Sequence, residues 1–591
     1  MSTFGGAVPI VFGAAQAWCF GWFHAARLPA RGIGAVLCRP MGQEVHTTYD
    51  TYTQLAELLA QAGFAVVRFD YQGTGDSAGK DSDPDRVLAW IDSTKLAIEE
   101  VKRLGGVSRV ALFGVRLGAT LAARAASEIG GVESLVMWAP CATGRAFARE
   151  LRASSVRRSS HEQDAGAGDM LALGYTYTAQ TIQDLNTLDA VHLALPPASR
   201  VMLIGRDDLP AEGPLRAAYQ AMDVDVSYQV LPGYSDMMVE AHVGHVAGET
   251  LAAIVDWLSA TPVATPMSNA SRQGSVSQIN AVIDDLRETP LFLGQEQNIF
   301  GVLTEPVMSV DSGNWTETVI LMISIGANHR IGPNGLYVTL ARSLAQSGCR
   351  SFRFDLPGVG DSLTAGGVPK EKMYSKASVQ DVVSAMDGLG ARGFKKFVVM
   401  GLCSSAYLAF QAALIDRRVI GEVLMNPRLL MWQDGDPMQL AMRKNVEEKR
   451  HYKPLGFYRR ALLDVDVYRR VLLGQVDVMG IAKRVFVLLR ARWVRAVNNL
   501  LRPGHEGEGV IGAMRKLCAQ GADTLMMVSE GDEGLDYVEF HLGNQGQKMQ
   551  REKNFRMVFV KDADHTFSGL EHQQVVIDIL QEHLKKMICH G

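Results

Sequence analysis

Short unbroken apolar runs, such as GAVLC, VVRF, VALF, LVMW and VMLIG, alternate along this chain with longer stretches such as LAELLAQAG, whose apolar residues recur at helical spacing. Runs with no polar alternation suit strands buried on both faces of a parallel sheet, and the helical stretches suit the crossovers between them. The uncharged opening run GGAVPIVFGAAQAWCFGWF has no basic flank, contains Pro and several Gly, and leads into chain that reads as strand. It therefore predicts a β-hairpin rather than a targeting segment.

The pattern occurs twice. RFDYQGTGDS (68–77) returns as RFDLPGVGDS (353–362), and VALFGVRLGATLA (110–122) returns as FVVMGLCSSAYLA (397–409). LVMWAP (135–140) parallels VLMNP (423–427), VMLIGRDD (201–208) parallels LMMVSEGD (525–532), and VLPGYSD (230–236) parallels VFVKDADH (558–565). The copies keep one register to within two residues as far as the second motif, after which the second copy carries about 37 extra residues. Between them, SATPVATPMSNASRQGSVSQ has the composition of a linker. The expected organisation is two α/β domains, residues 1–258 and 286–591, each a doubly wound, mostly parallel sheet, joined by a linker over 259–285.

The bulk properties narrow the reading further. With 47% hydrophobic and 21% charged residues and a formal net charge of -4, the chain is an ordinary globular protein with no global pull towards nucleic acid. Its seven cysteines are scattered, odd in number and without a C-x-x-C pair, which argues for a reducing, cytoplasmic setting and against a disulfide framework or structural zinc. GTGDS and GVGDS fail the G-x-G-x-x-G spacing and read as tight turns, so no cofactor or metal is expected.

In the second copy, a strand runs into Gly401-Leu402-Cys403-Ser404-Ser405 and then into a helix. Such an elbow lifts one side chain clear of the sheet's carboxyl edge and offers the next backbone N–H to a developing oxyanion. At these residues the chain resembles the α/β-hydrolase fold, and the resemblance spans nearly all of both copies. It implies a triad in the order nucleophile, acid, His, which falls here on Cys403, Asp532 and His565. Ser404, one position on, is the competing hydroxyl; Asp536 is the competing acid; and a surface role for His565 stays open. The resemblance also implies an oxyanion hole built from Ser404 and from Ala327 or Asn328 in the loop 324–330, with His329 and Arg330 as candidate substrate-binding residues or plain loop residues.

At the matching elbow the first copy reads Gly114-Val115-Arg116-Leu117-Gly118. Arginine stays protonated and cannot attack an acyl carbon. Asp236 stands where the His would be and Asp208 where the acid would be, so Arg116 is expected to pair with one of them in a catalytically silent domain. His46 and His242 are expected to be structural or exposed. GAVLCRPMGQE, FDYQGTGDSAG and FGVRLGA resemble the hydrolase-type proteins encoded with exosortase systems, some of which also show Arg at the elbow. RFDLPGVGDS is similar to their companion hydrolases, from which the second copy departs by carrying Cys for Ser.

Cysteine changes the expected chemistry, because its acyl-enzyme is a thioester that amines, alcohols, thiols and water can all discharge. Relatives with Cys at this elbow include polyhydroxyalkanoate synthases, which transfer acyl groups, and dienelactone hydrolases, which cleave esters, so the resemblance leaves both reactions open. The extra residues of the second copy, about 428–515, read as a helical cap, and 428–503 hold 16 Lys or Arg against 7 Asp or Glu. A basic cap suits an acyl-carrier protein or the phosphates of coenzyme A; a plain solvated cap and an anionic membrane surface are the alternatives. The expectation is a Cys-His-Asp acyltransferase or thioesterase acting on an acyl-thioester of a carrier protein or CoA. An ester or amide hydrolase and a non-catalytic scaffold are the competing readings. No nucleic-acid or membrane partner is expected, and a homodimer is left open.

Overall fold

The computed structural model describes residues 6–27, 29–156, 168–208, 212–239, 245–263, 281–307, 315–326, 328–363, 374–431 and 509–590. Most of the expected cap (432–508) and of the expected linker (264–280), together with His242 and Ala327, lies outside them. The chain divides into two compact units, one of Met1–Leu291, Val302–Met308 and Ala327–Arg342, the other of Phe292–Gly301, Ser309–Gly326 and Ser343–Gly591.

The first copy builds strands β1 (Ala7–Ala14), β2 (Ala17–His24), β3 (Ile33–Cys38), β4 (Ala65–Phe69), β5 (Arg109–Val115), β6 (Ser134–Trp138), a small pair β7 (Met170–Ala172) and β8 (Tyr175–Tyr177), β9 (Arg200–Gly205) and β10 (Asp225–Val230). The opening run forms the hairpin β1–β2, with Ala14 paired to Ala17. The main sheet has the order β1-β2-β4-β3-β5-β6-β9-β10 and is parallel from β4 to β10. Along β5, Val110 and Leu112 enter one apolar cluster while Ala111, Phe113 and Val115 enter another. Both faces of the sheet are thus covered, which is why its strands are apolar without alternation.

The second copy repeats the plan with β11 (Ala281–Ile283), β12 (Leu286–Leu293), β13 (Ile299–Pro306), β14 (Thr318–Ile323), β15 (Ser351–Phe354), β16 (Lys396–Leu402), β17 (Val419–Met425), β18 (Asp523–Ser529) and β19 (Phe555–Val560). Its order is β11-β12-β13-β15-β14-β16-β17-β18-β19, the first sheet's order with β11 added at the edge. The chain leaves β14 to one side for β15 and returns on the other for β16. In an open α/β sheet that reversal opens a crevice at the carboxyl ends of the two strands. The elbow after β16 and the loop after β14 both begin there.

The twin RFD motifs fold into twin turns. Asp70 accepts the Asp76 N–H at 3.0 Å, and the Ser77 hydroxyl donates to the Asp70 carbonyl at 2.6 Å. Asp355 accepts the Asp361 N–H at 3.1 Å, and the Ser362 hydroxyl donates to the Asp355 carbonyl at 2.7 Å. Each buried carboxylate closes its own loop, so these glycine-rich segments are structural turns. Among the described residues, no helix is long and apolar enough to cross a membrane.

Candidate active site

Cys403 sits between β16 and the helix Ser404–Ile415 with φ 59° and ψ -114°, a region that side-chain-bearing residues rarely occupy. The turn is held from three sides. The Cys403 N–H donates to the Met425 carbonyl at 2.9 Å, tying the elbow to β17. The Ser405 hydroxyl sits across the turn, 2.9 Å from both the Leu402 N–H and the Leu402 carbonyl. Gly401 lets the helix close in, since a Cβ there would lie 2.2 Å from the Ser405 carbonyl oxygen. Strain of this kind costs about 1–3 kcal/mol and persists only where its surroundings enforce it.

Behind the thiol, His565 Nδ1 hydrogen-bonds Asp532 Oδ2. Asp532 is buried, and its Oδ1 accepts the Gly534 N–H at 2.7 Å, which fixes the carboxylate's plane. Asp536, the competing acid, is not the residue that meets His565. The loop bearing His565 is anchored by Asn426, whose Nδ2 donates to the His565 carbonyl at 2.8 Å and to Ser529 Oγ at 2.9 Å, while its Oδ1 accepts the Ser529 N–H at 2.7 Å. Asn426 adopts φ 42°, a left-handed conformation that Asn tolerates better than most residues.

Electrostatics separate Cys403 from five other cysteines. Cys19, Cys38, Cys141, Cys349 and Cys518 are buried, and burial pushes their thiols up to between about 11 and about 12. Cys403 is partly exposed. Burial also pushes its thiol up, but the positive charges of His565 and Arg428 outweigh that and hold it below its ordinary value. Burial likewise lowers His565, yet the Cys403 thiolate and Asp532 carry the imidazole well above its usual range. The two groups favour each other's charged form, the arrangement of a thiolate–imidazolium pair. His565 Nε2 makes no hydrogen bond of standard geometry to the sulfur, so the coupling rests on proximity.

The loop after β14 reaches the elbow through Gly326, whose N–H donates to Ser404 Oγ at 3.2 Å. That contact occupies the hydroxyl of the competing Ser404, which is buried. Ser324 starts the loop and accepts the Leu356 N–H at 3.1 Å. Asn328 lies four residues past this anchor. His329 and Arg330 are buried within the first compact unit, to which residues 327–342 belong. Arg330 pairs with Asp76 at 2.6 Å, and the His329 ring lies 4.2 Å from the Tyr49 ring. The structure therefore packs both of these expected substrate-binding side chains inside that unit.

Three residues near the thiol carry no sequence signal of their own: Asn426, Arg428 and Tyr374. Tyr374 packs edge-on against Tyr407 at 5.5 Å, and burial followed by the Cys403 charge raises its phenol. Among the described residues, no group of three or more His, Cys, Asp or Glu is placed to hold a metal ion.

The first copy keeps the elbow with Arg116 standing where the second has Cys403. Arg116 has φ 55° and ψ -126°, close to Cys403, and a Cβ at Gly118 would lie 2.3 Å from the Arg39 carbonyl oxygen. The expected pairing with Asp208 or Asp236 does not form. Arg116 instead meets Glu44 at 3.1 Å and Glu150, whereas Asp208 is taken by Arg206, two residues before it, at 2.7 and 2.6 Å. His46 is buried, hydrogen-bonds the Tyr175 hydroxyl at 2.7 Å, and is held neutral by burial, its pKa lowered to about 4.

Comparison with known proteins agrees with this architecture. Residues 45–183 match the family described as serine aminopeptidase, S33, and residues 327–579 match the alpha/beta hydrolase family. No curated protein matches the chain. Among solved structures, Est1E from Butyrivibrio proteoclasticus is 14% identical over 43% of this chain and 97% of its own, with a TM-score of 0.33. A complex of DcsB with its substrate analogue is 16% identical over 43% and 98%, with a TM-score of 0.32. An esterase of Pyrobaculum calidifontis is 19% identical over 44% and 86%, with a TM-score of 0.32. Likenesses this distant say nothing about substrate. The two family matches and the shared strand order describe two α/β-hydrolase domains in tandem.

Proposed function

We propose, from the premise of two tandem α/β-hydrolase domains, that the second is a cysteine-dependent acyltransferase or thioesterase and the first a non-catalytic companion. The observation that carries the reading is the strained Cys403 beside a His565 that Asp532 orients, with the thiol held below its ordinary pKa.

In the proposed cycle, Cys403 Sγ attacks the acyl carbon of a thioester. A C–S bond to the enzyme forms, and the carbonyl electrons move to an oxygen facing the Ser404 backbone N–H. The oxyanion collapses, the donor's C–S bond breaks, and the departing thiolate takes a proton from His565 Nε2. An acceptor amine, alcohol or water then gives a proton to His565, attacks the acyl-enzyme, and releases Cys403 as the thiolate. A thioester donor suits this site because its leaving group matches the nucleophile in basicity, so little driving force is lost on forming the acyl-enzyme. A carrier protein or CoA is the proposed source of the acyl group, on the strength of the basic composition of residues 428–503.

Intact-mass spectrometry of the protein incubated with acyl-thioesters, with and without an amine, tests the proposal. A wild-type adduct that is absent from Cys403→Ala, and that amine discharges faster than water, identifies a transferase. Discharge by water alone identifies a thioesterase. A Cys403 that no donor acylates, and that iodoacetamide labels no faster than an ordinary thiol, sinks the reading in favour of a scaffold.

A further inference from the structure

Arg428 follows β17 by three residues, and β17 is the strand whose Met425 carbonyl binds the Cys403 N–H. The segment around it is fixed: Pro427, Leu429 and Leu430 are buried, Tyr537 Oη accepts the Leu430 N–H at 3.0 Å, and Gln411 Nε2 donates to the Leu430 carbonyl at 2.8 Å. Arg428 alone in this stretch is half-exposed. Its buried Nε has no partner, and among the described residues its guanidinium pairs only with Glu533, at a long 3.4 Å. A guanidinium has five N–H donors, and a loose pair with a half-exposed carboxylate contributes little. The backbone therefore holds a cation next to the acid of the triad with, among the described residues, most of its hydrogen-bonding capacity unspent.

We infer that Arg428 is an anion-recognition residue of the acyl site, selecting acyl donors whose own carboxylate lies a few bonds from the reacting carbonyl. The inference rests on the reading of Cys403 as the nucleophile. Two sources of anion are conceivable, a carboxylate on the acyl group and the phosphate of a pantetheine-type thiol. The phosphate is separated from the carbonyl by the length of the pantetheine arm, whereas Arg428 meets Glu533, the neighbour of the Asp532 that holds His565. That proximity favours the acyl carboxylate. On binding, the carboxylate displaces Glu533 and accepts two parallel N–H bonds, the geometry that distinguishes Arg from Lys.

The test uses two reagents of nearly the same shape, iodoacetate and iodoacetamide, on the full-length protein. Alkylation of Cys403 is followed by mass spectrometry, and its rates are compared as a ratio with those of glutathione. A ratio cancels any change in thiolate fraction, so a purely electrostatic effect of Arg428 on the sulfur slows both reagents alike. The expected wild-type ratio exceeds that of glutathione about tenfold, the scale of one hydrogen bond to a charged group. Arg428→Gln returns it to the glutathione value, Arg428→Lys retains only part of it, and Glu533→Gln raises it, a gain that loss of fold cannot imitate. Donor choice separates the two anion sources. Succinyl-N-acetylcysteamine, which has no phosphate, outperforms the butyryl analogue in wild type and loses that advantage in Arg428→Gln. A ratio equal to that of glutathione and unmoved by all three variants overturns the inference while leaving Cys403 as nucleophile. A Cys403 inert to both reagents overturns the two together.

Discussion

Asn426 donates from its Nδ2 to the backbone carbonyl of His565 across 2.8 Å, linking the end of β17 to the loop that carries the imidazole. The same amide holds Ser529 at the end of β18, so one side chain sets the distance between the elbow's neighbouring strand and the base. Asn426→Ala leaves two buried polar groups unpaired and is expected to cost about 1–3 kcal/mol of stability. It also frees His565 to drift, and a misplacement of 1 Å lowers turnover by about 100-fold. Thermal denaturation and single-turnover acylation of Cys403 measure the two effects separately.

The mutual shifts of Cys403 and His565 fix a pH profile. The thiol titrates below its ordinary value near 9.0, so alkylation by iodoacetamide is expected to reach its plateau at a lower pH than an ordinary thiol allows. The imidazole's raised value means that it stays protonated through neutral pH and loses its proton only towards about 10. Its contribution to stability is therefore present in full below about 6.5, and is lost as pH rises through about 10. His565→Ala is expected to move the alkylation profile upwards. A profile unchanged by that substitution would show the thiol to be independent of His565.

Arg116 and Glu44 form a largely buried pair in the first domain. Arg116→Ala strands the Glu44 carboxylate and is expected to destabilise the protein by up to about 3 kcal/mol, since losing one partner of such a pair is costlier than losing both. Acylation of Cys403 in the remaining folded protein is expected to be unchanged. Arg116→Ser is expected to create no second nucleophile, because Asp236, not His, stands at the position that matches His565. Thermal melting together with counting of acyl adducts checks both statements.

Gly401→Ala places a methyl 2.2 Å from the Ser405 carbonyl oxygen. Backbone cannot yield as a flexible side chain does, so the elbow must open. The expected result is loss of the accelerated alkylation of Cys403 with much of the fold retained, read by iodoacetamide kinetics beside circular dichroism.

The tandem fold was legible because both copies repeat the same local grammar: apolar runs, a turn motif and an elbow, each set by residues close together in sequence. Cys403 announces itself in that way, and the order of Asp532 and His565 came from the resemblance the motif carries. Their hydrogen bond is what the structure adds. Asn426 and Arg428 were not legible, because their roles arise where β17 passes β16 and β18, which no local pattern records. Arg116 illustrates the opposite failure. Alignment of the two copies pointed to Asp208 and Asp236, but Arg206 captures Asp208 from two residues away, and the loop after β3 brings Glu44 to the guanidinium instead. Homologous position predicts where a side chain stands, while its partner is decided by which opposite charge lies nearest.

The elbow at Arg116 keeps nearly the same twisted backbone as the one at Cys403, although arginine has no use for it. The distortion is thus a property of how strand, helix and loop interlock, paid for by the fold whether or not a reaction follows. One consequence is practical: the turn is a ready-made pedestal, and the residue standing on it can be exchanged with little architectural change. A domain of this fold can in this way carry a residue other than a nucleophile at its elbow and keep its shape.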